Sequence, residues 1–145
     1  MSREHFEKLE RMYLSANMNR MIYDSTTVKI EQGSAVIGLT LSEKYFHALG
    51  AMHGSVYFKL LDDAAFFAVN SAVTDVFVLT KSFNVNFKKP VSHGVLKAVG
   101  TLEESSDYSF RGKSELFNED GVLVGYGSGE FVKSRVALSP DIGYL

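Results

Sequence analysis

The sequence predicts an α+β domain in which a curved antiparallel sheet wraps one long apolar helix. Three features predict it. From Gly54 to about Val73 the chain is apolar on nearly every face, with no Pro and no internal Gly, and a helix apolar all round is buried on most sides. From residue 76 the pattern changes to a period of two, with Phe77, Leu79, Phe83, Val85 and Phe87 alternating with Thr80, Ser82, Asn84 and Asn86. That is the signature of a half-buried strand, and only Lys81 breaks it. Three further strands follow, so that four consecutive strands can pair as an antiparallel meander.

The other elements follow in chain order. Residues 3 to 22 place Phe6, Leu9, Met12, Tyr13 and Ala16 at spacings of three and four, an amphipathic helix with Ser2 as N-cap and Glu4 in the first turn. Residues 26–32 and 34–41 read as two short strands joined at Gly33, hence a hairpin. The segment "SEKYFHALGAM" has no period and reads as a loop. Beyond the long strand, "KKPVSHG" is a turn marked by Pro90 and Gly94, and strands follow near 95–104 and 108–117. "NEDG" is a hairpin turn, and residues 122–132 form the last strand. Its Gly125, Gly127 and Gly129 leave one face without side chains, where another backbone or a helix can approach closely. The tail from Ser134 carries no pattern. The central helix is too apolar for one sheet face to cover, which points to a subunit interface along its other side.

Composition narrows the function. The 145 residues suit a single domain spanning 1–145, and 46% hydrophobic with 22% charged residues describes a globular chain. A formal net charge of -2 gives no electrostatic basis for binding nucleic acid or an anionic membrane. Without Cys there is no disulfide, thiolate metal site or cysteine nucleophile. The His residues show no ligand spacing, so neither a metal nor another cofactor is expected. The charged start "MSREHFEKLERMYL" lacks the apolar core of a signal peptide, and Lys59, Asp62 and Asp63 would be costly in a membrane. A soluble, cytoplasmic protein is expected.

The chemistry concentrates in "GAMHGSVYFKLLDDAAFFAVNSAV", residues 50–73. On a helix Asp63 shares a face with Lys59, a ready ion partner, whereas Asp62 sits with Phe58, Ala65, Phe66 and Val69 and has no local partner. A carboxylate in apolar surroundings has a raised pKa and can serve as a base or nucleophile. The other reading of Asp62, a pair with a distant cation or a loop cap, stays open at this level. Gly54 stands at the start of the helix, where free N–H groups can hold a carbonyl oxygen as it gains charge. Asp62 lies about two turns further on, so a substrate, a water or a group from a second subunit must come between them.

The stretch "GAMHGSVYFKLLDDA" resembles the "G…HGG…L.D.A" signature of the hot-dog-fold acyl-CoA thioesterases, especially the phenylacetate-pathway-like group. The order of helix and strands and "NVNFKKPVSHG" extend the resemblance over most of the chain. It implies a hot-dog fold with an extra N-terminal helix, paired into a homodimer or homotetramer with active sites at the dimer interface. It also implies hydrolysis of acyl-CoA thioesters to a free acid and CoA. Asp62 matches the family's general base or nucleophile, and Gly54 the glycine whose N–H polarises the thioester carbonyl. His53 matches the histidine beside it, and Thr80 a hydroxyl position that helps place water from across the interface. His47 stands where the family usually has Asn, and Ser55 replaces the second glycine of "HGG". With His47 counted among the catalytic residues, Ser55, Ser82, Lys88 and Lys89 are expected to contact the acyl-CoA, the lysines at its phosphates. Lys81, Arg111 and Lys113 compete for that last role. Phe58, Phe66, Phe67 and Tyr57 suit an aromatic or medium aliphatic acyl group. His5 is expected on the solvent side of its helix and His93 in an exposed turn. The alternative function is a non-catalytic acyl-thioester-binding module, with His47 and Ser55 having spoiled hydrolysis. A hydratase, or a purely structural dimer, ranks behind it.

Overall fold

A computed structural model describes residues 2–145. The chain forms α1 (Ser2–Ser15), α2 (Asn17–Met21), β1 (Thr27–Glu31), β2 (Ser34–Thr40), α3 (Gly54–Asn70), β3 (Val76–Phe87), β4 (Val95–Ser105), β5 (Ser109–Phe117) and β6 (Leu123–Ala137). One-turn 3-10 helices occupy Glu43–Tyr45 and Pro140–Ile142. The strands make one antiparallel sheet in the order β1-β2-β4-β5-β6-β3, with α3 packed across its inner face.

The expected single helix over 3–22 is two helices. Ala16 breaks it with an extended backbone (ψ 140°), and α2 turns away with Ala16 at its N-cap position. Ser2 is itself the first helical residue. The hairpin forms as expected, with Gly33 at φ +73° in the two-residue turn that the Glu31↔Ser34 pair closes.

The expected meander of four strands holds only for the last three. β3 does not pair with β4; it crosses to the far edge and pairs with β6. The alternating glycines make this edge possible. Phe83, Val85 and Phe87 lie opposite Gly129, Gly127 and Gly125. A Cβ at Gly129 would stand 2.2 Å from Ser82 O and 2.5 Å from the Phe83 ring, so the bare face of β6 admits both backbone and ring. β6 also runs on to Ala137 rather than stopping at 132, and the tail after it packs Leu138, Ile142 and Tyr144 against the core.

Lys81 breaks the alternation in β3 because it is a bulge. The register shifts between Thr80 and Ser82, and the strand changes phase there. Before the bulge Val78 is fully buried while Leu79 is 49% exposed, so Leu79 does not share the inner face with Phe83 and Val85.

The helix sits close on the sheet through small residues. Ala64, Ala65 and Ala68 are fully buried, and a Cβ at Gly100 would fall 2.0 Å from Ala64 O. Ser114 Oγ donates to Leu61 O at 2.7 Å, tying β5 to the middle of α3. At the helix end Asn70 donates through Nδ2 to Val73 O and Val76 O and accepts from Val78 N–H (3.0 Å). Those bonds fix where β3 begins relative to α3.

His5 is buried rather than solvent-facing. Its Nε2 donates to Asn70 O (2.9 Å), a carbonyl that can only accept, and its Nδ1 contacts the Tyr144 hydroxyl (2.7 Å). One partner is the last residue of α3 and the other a residue of the C-terminal tail, neither of which a reading of α1 alone includes.

Candidate active site

Asp62 lies on α3 at the wall of a wide, mostly apolar cavity of about 830 Å³ between α3, β3 and the two N-terminal helices. The Asn70–Val78 bond brings Thr80, two residues on, alongside the acid, and Thr80 Oγ1 donates to Asp62 Oδ1 at 2.9 Å. Burial pushes the Asp62 carboxyl up to about 6; the adjacent Asp63 adds to the rise, while the Thr80 hydroxyl and Lys59 oppose it. A carboxylate titrating near neutrality, with Oδ2 free to face the cavity, has the properties of a general base. Thr80 stands beside the Asp62 of its own chain.

Asp63 behaves differently, as its spacing predicts. Lys59 Nζ lies 2.7 Å from Asp63 Oδ2, and Tyr13 donates to the same oxygen at 2.7 Å. Tyr13 and Asn19 reach this pair from α1 and α2, a contribution that no motif in the sequence signals. Of the aromatic residues expected around an acyl group, Phe58, Phe66 and Phe67 line the cavity, joined by Phe77, Met12 and Met18. Tyr57 does not: it faces the opposite side of α3 and donates to Lys89 O at 2.7 Å.

The second cluster is built on the first turn of α3. His53 is the N-cap, and its Nδ1 accepts from Ser55 N–H at 3.0 Å. A nitrogen that accepts a backbone N–H carries no proton, so the Ser55 hydroxyl, 2.8 Å away, donates to it as well. The ring proton is then on Nε2. Gly54 is the first helical residue, whose N–H has no intrahelical acceptor. Around it, His47, Tyr57, Phe87, Lys88 and Lys89 line a shallow cleft of about 370 Å³. His47 sits on an exposed loop, its ring centroid 6.5 Å from that of His53, and its Nδ1 accepts from Leu49 N–H. Ser82 is exposed on β3, and Ser55 lines the wide cavity with Asp62. Of the competing cations, Lys113 pairs with Glu103 at 3.5 Å, away from both clusters.

Within one chain, therefore, the carboxylate and the helix N-terminus do not meet. Asp62 lies eight helical steps beyond Gly54, a rise of about 12 Å, and they open on different hollows.

An antiparallel sheet wrapped on a central helix, with an acid on that helix facing a cavity, defines a hot-dog domain. The profile of the Thioesterase superfamily matches residues 49–125, over half of the chain, and the protein belongs to that superfamily. No curated protein matches it in sequence. Among solved structures, the Escherichia coli PaaI protein from the phenylacetic acid degradation operon superposes with a TM-score of 0.84 at 17% identity, over 95% of this chain and 99% of that one. A conserved protein from Pseudomonas aeruginosa gives 0.77 at 20% identity, over 86% and 98%. A mutant of the phenylacetic acid degradation protein PaaI from Thermus thermophilus gives 0.69 at 21% identity, over 81% and 97%. At these identities the likeness is one of fold. No helix among the described residues is long and apolar enough to cross a membrane.

Proposed function

We propose that the protein hydrolyses acyl-CoA thioesters, releasing a free acid and CoA. The observation that carries this reading is Asp62: a carboxylate raised to about 6, oriented by Thr80, at the wall of an apolar cavity large enough for an acyl group. Two copies of the chain assemble so that the Asp62 half-site of one meets the Gly54 half-site of the other. Phe58, Leu79 and Phe87, which are 41%, 49% and 59% exposed along α3 and the unpaired edge of β3, support such an interface.

In this arrangement the Gly54 N–H holds the thioester carbonyl oxygen, with His53 Nε2–H beside it. Asp62 takes a proton from a water whose oxygen adds to the carbonyl carbon, and the oxygen that gains charge is stabilised at the helix N-terminus. The tetrahedral species then expels the CoA sulfur, which receives the proton from Asp62. A direct attack by Asp62 on the same carbon gives the same products once water cleaves the anhydride. His47 contacts the water or carbonyl, while Ser55 and Ser82 border the acyl-CoA. Lys88 and Lys89, exposed at the rim of the Gly54 cleft, meet its phosphates as point charges.

The test is thiol release from short, medium, long and aromatic acyl-CoAs, with Asp62→Ala in parallel. The variant is expected to lose on the order of 10² to 10⁴ in rate. Near-normal turnover in Asp62→Ala refutes the assignment. Binding of an acyl-CoA without turnover by the unmodified protein identifies the acyl-thioester-binding module instead.

A further inference from the structure

The polar side chains of the wide cavity that lie away from the reacting carboxylate are turned on one another. Lys59 Nζ donates to Asp63 Oδ2 (2.7 Å), Asn19 Oδ1 (2.8 Å) and the Tyr13 hydroxyl (3.3 Å). An ammonium has three N–H donors, so Lys59 has none left for a ligand. Its charge is further enclosed by the Tyr23 and Tyr13 rings, with centroids at 4.6 and 5.1 Å. Tyr13 commits its own O–H to Asp63, and Asn19 Nδ2 donates to Tyr13 O. Apart from the second N–H of the buried Asn19 amide, the capacity that remains toward the cavity is acceptor capacity. Both bonds to Asp63 fall on Oδ2, and Asp62 receives only Thr80, on Oδ1. Among the described residues Lys59 is the one cation lining the cavity and Asp62 and Asp63 its two acids, so the wall is negative on balance. Much of the remaining lining is Met12, Met18, Phe66, Phe77 and Leu79.

We propose that the Lys59–Asp63–Tyr13–Asn19 knot makes this site selective for uncharged acyl groups and excludes acyl chains that end in a carboxylate. A terminal carboxylate entering the cavity loses its water, finds no free cationic donor, and meets a wall whose one cation is already paired and whose net charge is negative. An alkyl or unsubstituted aryl end meets rings and thioethers. The inference rests on the wide cavity holding the acyl group of the proposed substrate, but not on hydrolysis occurring there.

The experiment compares octanoyl-CoA with suberyl-CoA, which has the same chain length and an added terminal carboxylate. Turnover is measured on both, and calorimetry is run on their non-hydrolysable thioether analogues. The uncharged member is expected to be favoured by on the order of 10²-fold or more, in affinity and in kcat/KM. Asp63→Asn keeps an oxygen for Lys59 and Tyr13 but removes one acid and adds a donor. It is expected to narrow the preference by about 10-fold or more through better binding of the carboxylate analogue. Tyr13→Phe frees one Lys59 donor without changing charge and narrows it by less, which keeps the test open if Asp63→Asn fails to fold. Equal binding of the two analogues by the unmodified protein overturns the proposal, as does a ratio unmoved in both variants. Selective binding without hydrolysis supports the proposal and removes the thioesterase reading. Failure to bind either analogue overturns both.

Discussion

Burial lifts the Asp62 carboxyl from its ordinary 3.8 to about 6, so at pH 7 the folded protein carries an ionised group that its surroundings disfavour. Replacing Asp62 with Asn removes the charge and keeps the shape, including an oxygen to accept from Thr80. The full shift corresponds to about 3 kcal/mol, at roughly 1.4 kcal/mol per pKa unit. Asp62 is only half-buried at an open cavity, and solvent there reduces the gain to about 1–3 kcal/mol. For a chain of this size that raises Tm by about 3–9 °C. The pH dependence has a definite sign. Above the folded-state value of about 6 the acid is ionised whether the chain is folded or not, and the whole cost is present. As pH falls toward 3.8 the folded state takes up its proton before the unfolded chain does, and the cost disappears. Melting followed by circular dichroism from pH 4 to 8, with thiol release on the same samples, measures both effects. The expected variant is inactive and more stable near neutrality, with its advantage fading in acid. A variant that is less stable at pH 7, or one whose stability difference does not change with pH, refutes the account of Asp62.

Three other outcomes follow from the same geometry. The Thr80 hydroxyl favours the ionised form of Asp62, so Thr80→Val should move the acid limb of the pH–rate profile above about 6 and lower kcat; an unmoved limb removes Thr80 from the site. Lys88→Ala with Lys89→Ala should raise KM for CoA thioesters by roughly 10-fold at low salt. It should leave the matching pantetheine thioesters, which lack the nucleotide phosphates, unaffected; equal effects on both would place the lysines elsewhere. Gly100→Ala puts a methyl 2.0 Å from the Ala64 carbonyl oxygen, so the helix must lift from the sheet. A loss of about 1–3 kcal/mol is expected by denaturant titration, and unchanged stability would mean that the two are less tightly seated.

The sequence carried much of the fold because the decisive signals were local. The apolar run gives α3 and the bare face of β6 marks a close approach, whereas the fault in the alternation at Lys81 was visible but its meaning, a bulge, comes only from the register with β6. Asp62 was separable from Asp63 on the same grounds, since Lys59 one turn away accounts for only one of them. What was not legible depends on distant partners. β3 joins β6 because their bare and bulky faces fit, and nothing near β3 indicates that it passes β4. The burial of His5 is set by Asn70 and Tyr144, 65 and 139 residues away. Tyr13 and Asn19 carry no mark of their contact with Lys59, because the break at Ala16 that aims α2 has no Gly or Pro to announce it. Nor does a helical wheel reveal that Gly54 and Asp62 open on different hollows.

The bulge at Lys81 sets a rule for what this chain can tolerate. In an unbroken strand, the residues facing α3 with Val78 and Thr80 would be Ser82, Asn84 and Asn86, all exposed in the structure. One supernumerary residue brings Phe83 and Val85 to that side instead, so a single strand presents first a hydroxyl to the acid and then rings and branched chains to the core. Side-chain identity at position 81 is almost irrelevant to this, since Lys81 points to solvent. Its presence as a unit of length is not. The position acts as a spacer, able to drift through many amino acids, while loss of one residue there would force a choice between holding Asp62 in place and closing the edge of the sheet.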